Sequence, residues 1–158
     1  MKEFLRCLLL PVNSKTLLVP YSAVAEITPF EPPKPLEASS HWLLGELEWR
    51  GVKIPLLSIE EMINLDKPRE EEKLKNQTHL HIAVMNRMSE SASLDFIGWV
   101  LQSMPVMRRF KRVDIKSVSP MKEPYLMEAS VREQSVFIPN IKWIEDAAAK
   151  QFKISPKT

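Results

Sequence analysis

Few side chains in this 158-residue chain could make or break a bond. The histidines are His41, His79 and His81, and the sole cysteine is Cys7. Two apart on a strand, His79 and His81 share a face, and two neutral imidazoles could begin a metal site. No third ligand stands near them in sequence, so a solvated or half-buried pair is the plainer reading. Cys7 sits inside an apolar run, where a thiol behaves as a small hydrophobe; a Cys–His dyad is the competing reading. One cysteine excludes an intrachain disulfide and a cysteine-based zinc cluster. There are 3 glycines, Gly45, Gly51 and Gly98, where average usage would give roughly 11. That scarcity excludes the Gly-rich loops that cradle phosphates. Glu60, Glu61 and Glu70 to Glu72 read as solvated charge. The expectation is no catalytic residue, no metal and no cofactor.

Charge offers one local signal. Lys and Arg total 22 against 20 Asp and Glu, so the net charge of +2 gives no global pull toward nucleic acid or a membrane surface. The run Arg108-Arg-Phe-Lys-Arg112 is the exception. Cations around an aromatic suit a nucleic-acid strand, which would make the chain a small β-barrel nucleic-acid binder. An acidic protein partner or a plain solvated loop is the plainer reading, so no nucleic-acid partner is expected. No run approaches the ~20 apolar residues of a membrane span, and no signal peptide is evident, so a cytoplasmic protein without membrane insertion is expected.

The elements that must carry these residues are mostly strands. The 13 prolines argue against long helices, because proline lacks the backbone donor. Strands are expected at 3–10, 16–20, 42–50, 52–57, 79–85, 94–101, 125–132 and 134–138. Within 42–50, Leu43, Gly45, Leu47 and Trp49 alternate with Glu46, Glu48 and Arg50. Residues 21–27 continue extended or make one tight helical turn, and 29–35, with four prolines, form an extended loop. Ser58-Ile-Glu-Glu61 is a capping box opening a short helix at 59–63. Asn140 caps a last helix from 141 to about 150. The charged stretch 66–77 reads as an exposed connector. The block Lys53-Ile-Pro-Leu-Leu-Ser58 is echoed by Val136-Phe-Ile-Pro-Asn140, which suggests two similar half-domains.

The stretch Leu43-Leu-Gly45-Glu-Leu-Glu-Trp-Arg50-Gly51-Val-Lys-Ile-Pro55-Leu-Leu resembles the signature of CheW-like domains. Val19 to Ile27, Ile97 to Val100 and Val136 to Ile144 resemble further parts of that family in order. Trp42 to Gly51 is most similar to the ChpC type, which accompanies chemosensory systems controlling type IV pili and twitching motility. The resemblance implies an all-β fold of two packed five-stranded, SH3-like barrels with short helices. It implies one domain over 1–150, with halves at roughly 15–75 and 76–140, terminal strands crossing over, and a frayed tail at 151–158. It also implies a non-catalytic adaptor with two partners, the regulatory domain of a chemotaxis-type histidine kinase and the cytoplasmic tip of a chemoreceptor. Carried over by motif, the binding residues would be Val24 for apolar contact, Glu26 and Arg50 for polar register, and Gly45 for close approach of a partner backbone. Arg50 is expected on the solvent face of its strand, oriented by Glu46 and Glu48. Glu48, Ser58, Gln102 and Asn140 depart from residues common in the family.

Overall fold

The computed structural model describes residues 4–12, 15–37, 40–63, 79–90, 94–118 and 126–152. Eleven strands form two sheets among them. Strands β1 (Phe4–Val12) and β2 (Lys15–Pro20) form a hairpin, followed by one 3-10 turn at Tyr21–Ala23. Then come β3 (Val24–Pro29), β4 (Leu43–Trp49), β5 (Val52–Leu57) and helix α1 (Ile59–Ile63). Strands β6 (His81–Asn86), β7 (Phe96–Leu101) and β8 (Val106–Lys111) lead to a second 3-10 turn at Arg112–Asp114. Strands β9 (Ile115–Ser117), β10 (Leu126–Val131) and β11 (Gln134–Pro139) precede helix α2 (Ile141–Gln151). The expected connector at 66–77 lies outside the described residues.

One sheet runs β3-β6-β7-β5-β4 and the other β8-β1-β2-β11-β10-β9. They are the two small barrels that the sequence leads one to expect, with one correction: the second has six strands rather than five. The chain is also apportioned differently from 15–75 and 76–140. The first barrel is continuous, β3 to β7, whereas the second joins β1 and β2 to β8 through β11. Long-range pairing decides this. Strand β11 lies parallel to β2 with Phe137 opposite Leu17, a contact that no local pattern announces.

Three apolar clusters hold the barrels. Along β1, Leu8, Leu10 and Val12 face a central core between the barrels, while Cys7 and Leu9 face the interior of their own. Strand β6 divides likewise, with Ala83 and Met85 central and Ile82 and Val84 inside the first barrel. Burial on both faces explains why these strands read as nearly continuous apolar runs rather than alternations. Each large side chain sealed there contributes about 1.5–3 kcal/mol. Trp99, Leu57 and Leu101 lie in the central core, and α2 covers it with Ile144 and Ala148.

Helix ends follow their sequence signals. The Ser58 hydroxyl accepts from the Glu61 amide at 3.2 Å, and Asn140 Oδ1 accepts from the Trp143 amide at 3.1 Å. The frayed tail expected from 151 needs correction at its start. Gln151 is still helical, and Phe152 is buried in the central core. Glu145 is buried on the same helix, and its carboxylate accepts from the Met88 amide at 2.7 Å, which ties α2 to the loop after β6.

Candidate functional site

Among the described residues, no β3–β4 strand pairing closes the first barrel. Its terminal strands, β3 and β4, are both sheet edges, and the chain bridges the seam between them in two ways. At one end the proline-rich loop returns as a strap. The Lys34 amide donates to the Glu46 carbonyl, and the Glu46 amide donates to the Lys34 carbonyl, both at 2.8 Å. Gly45 makes this possible. Its φ of +152° lies outside the range of L side chains, and a Cβ there would overlap the Lys34 carbonyl oxygen. Gly45 was expected to admit a partner's backbone; the backbone it admits is the chain's own.

At the other end the seam is spanned by side chains. Glu26 Oε2 accepts from the Trp49 indole at 2.7 Å, and Glu26 Oε1 accepts from Arg50 Nη2 at 2.9 Å. The guanidinium also stands 5.0 Å from the Trp49 ring centroid, within cation–π range. The two donors, Trp49 first and then Arg50, hold the Glu26 carboxyl below its ordinary range. Between strap and bridge lies a cleft of about 250 Å³, floored by Leu47, Ile54, Ile82 and Val84 and rimmed by Glu26 and Arg50.

Two backbone irregularities aim these groups. The β3–β6 register shifts between Val24 and Glu26, and the β4–β5 register shifts between Leu43 and Gly45. Such bulges re-aim side chains at sheet edges. The second shift also breaks the expected alternation. Leu43 belongs to the central core, whereas Leu47 and Trp49 pack into the first barrel.

Arg50 is not on the strand face where the alternation puts it. It occupies the β4–β5 turn with φ +49°, followed by Gly51 at +78°, the twist a two-residue hairpin requires. That reversal swings it away from its expected neighbours Glu46 and Glu48 and toward Glu26. Glu46 pairs instead with Lys53 at 3.8 Å, and Glu48 is exposed. The Arg50 side chain keeps 68% of its surface exposed. The structure thus joins Glu26 and Arg50. Val24 is half-buried against the central core, and neither it nor Gly45 lines the cleft. Trp49 is the residue that pattern reasoning missed. Its partner Glu26 is too distant in sequence for spacing to reveal.

The other candidates take structural roles. His81 Nδ1 lies 2.8 Å from the His79 carbonyl oxygen, and no metal-holding cluster of three side chains occurs among the described residues. Cys7 is buried, and that burial pushes its thiol pKa up, which works against a nucleophilic thiolate. In the basic block, Phe110 is buried, so it offers no platform on which a base could stack.

A family model for the CheW-like domain matches residues 6–146. The chain belongs to the CheW-like domain family. Its fold is similar to the crystal structure of the scaffolding protein TtCheW from Thermoanaerobacter tengcongensis. That match has a TM-score of 0.70 and 10% identity, covering 89% of this chain and 87% of the other. Comparison with curated proteins gives no significant match. CheW-like domains are non-catalytic scaffolds. No helix among the described residues is long and apolar enough to cross a membrane.

Proposed function

We propose that this CheW-like chain is a cytoplasmic adaptor that couples a chemotaxis-type histidine kinase to chemoreceptors. Its system would control type IV pili and twitching motility, a reading supported by the ChpC-like run from Trp42 to Gly51. The observation that carries the proposal is the Glu26–Trp49–Arg50 bridge. An exposed guanidinium is held in one orientation by a carboxylate at 2.9 Å, so little side-chain freedom is lost when a partner docks. Beside it, the apolar floor of the cleft can take a partner's aliphatic side chain. Arg is also enriched among residues that dominate interfaces. Val24 and Gly45 support the site indirectly, through the edge strands that present it.

Arg50→Glu tests the proposal in binding assays against the kinase regulatory domain and the receptor tip. Loss of an interface anchor should weaken binding by about 2 kcal/mol, roughly thirtyfold. Thermal stability should fall by no more than about 1 kcal/mol, the scale of one exposed ion pair, here the one lost to Glu26. Unchanged affinity for both partners would remove Arg50 from the interface.

A further inference from the structure

The second barrel carries a surface that the seam site does not use. Strand β8 ends its sheet: one edge pairs with β1, and the other has no strand partner among the described residues. Val106, Met107, Arg108 and Arg109 follow one another along it, and all four are exposed. Their chemistry is not that of an inert edge. Natural edges are guarded by charge, but here two exposed apolar residues precede two cations. Arg109 lies directly opposite Arg6 on β1, a like-charge pair that disfavours the sheet. Arg6, Arg108, Arg109 and Arg112 make no ion pair with any described residue. An electrostatic cost is therefore built into this strand with nothing inside the described fold to offset it.

Alternation along the strand decides what would offset it. Val106 and Arg108 point to one face of the sheet, and Met107 and Arg109 to the other. Each face thus offers one apolar side chain and one guanidinium. A flat anionic membrane would need its contacts on one side only. A nucleic acid would want an aromatic platform, and Phe110 is 6% exposed. A strand laid along the edge meets both faces at once, and its consecutive residues alternate in the same way.

We propose that the free edge of β8 is a docking strand for an acidic peptide in extended conformation, carrying two adjacent carboxylates beside two apolar residues. The backbone of the peptide would continue the sheet. Its carboxylates would meet Arg108 on one face and Arg109 on the other, also relieving the repulsion between Arg109 and Arg6. Its apolar pair would cover Val106 and Met107.

The test uses the full chain and fluorescein-labelled eight-residue peptides with a central Glu-Glu-Val-Val or Val-Val-Glu-Glu run, one for each strand direction. Anisotropy at low salt should show binding of one of them. Replacing both glutamates by glutamine should weaken it about tenfold or more, since two charge pairs are lost. N-methylation of alternate peptide amides should abolish binding in one of the two possible phases, because the sheet hydrogen bonds disappear. The double variant Arg108→Glu, Arg109→Glu should lose the peptide, and it should fold, since both residues are exposed and Arg6 gains an acidic neighbour; Arg108→Gln, Arg109→Gln serves if it does not. Arg50→Glu should bind the peptide as wild type does, which separates this surface from the seam. Equal affinity for the glutamine peptide, or indifference to N-methylation in both phases, would overturn the proposal. So would tighter binding to an eight-nucleotide single strand or to phosphatidylserine vesicles.

Discussion

The β4–β5 and β10–β11 turns solve the same problem with different residues. Each places an arginine and then a second residue at positive φ: Arg50 at +49° and Gly51 at +78°, against Arg132 at +49° and Glu133 at +70°. Each arginine lies over an aromatic ring, Arg50 over Trp49 at 5.0 Å and Arg132 over Phe110 at 5.7 Å. Each meets a carboxylate, Glu26 at 2.9 Å and Asp114 at 3.7 Å. The difference lies in what the carboxylate does. Asp114 also accepts from the Lys111 amide at 3.1 Å and so helps secure the 3-10 turn between β8 and β9. Glu26 takes both of its side-chain donors, Trp49 and Arg50, from across the open seam. The same local geometry fastens a turn in one barrel and presents a charged side chain beside a cleft in the other.

The largest expected effect that separates the barrels comes from Gly45→Ala. The strap on the first barrel depends on a backbone conformation that costs a side-chain-bearing residue about 1–3 kcal/mol, before the overlap with Lys34 is counted. The melting temperature should fall, and hydrogen exchange at the Lys34 and Glu46 amides should accelerate while β10 and β11 stay protected. Equal loss of protection in both barrels would mean that they unfold as one unit.

Glu133→Gly should act in the opposite direction. A left-handed residue other than glycine costs about 1–2 kcal/mol, and the larger unfolded-state entropy of glycine offsets part of the relief. A gain of about 0.5–1 kcal/mol in chemical denaturation is expected, bringing the second turn to the condition of the first. A loss would show that the Glu133 side chain has a role that its backbone conformation conceals.

The smallest effect is the pH dependence of Glu26. Its folded pKa lies below its unfolded one, so its contribution is complete above the unfolded value and is lost as pH falls through the folded value. The Trp49 indole N–H resonance should shift in that acid range, and Glu26→Gln should remove the transition. An indole resonance constant from neutral pH down through full carboxylate protonation would contradict the bond between them.

Much of this frame is legible in sequence because the signals are local. Val52–Leu57 and Ile59–Ile63 occur where alternation and the capping box put them, and Asn140 starts the last helix. What sequence hides is pairing at a distance. Strand β8 is not among the expected strands, because the run Arg108 to Arg112 breaks any apolar alternation, and only its partner β1 makes it a strand. Arg50 is recognisable by motif, but its left-handed backbone defeats simple alternation. Glu26 and Trp49 meet across a seam that exists only once both edges are in place.

The division of the chain also bears on the order in which it can fold. The first barrel is one uninterrupted stretch, from Val24 to Leu101. The β1–β2 hairpin belongs to strands that emerge last, and Phe137 must find Leu17 about 120 positions away. During synthesis the hairpin therefore waits, with Cys7, Leu9 and Leu18 lacking their final neighbours, while the first barrel can already close. The Leu8, Leu10 and Val12 face can shelter early against that barrel, but the opposite face cannot. A stalled chain whose residues up to about 105 have left the ribosomal exit tunnel should carry a completed seam site and a sticky, half-built second barrel. The adaptor's slowest and most aggregation-exposed step would then be the return of its last strands to its first.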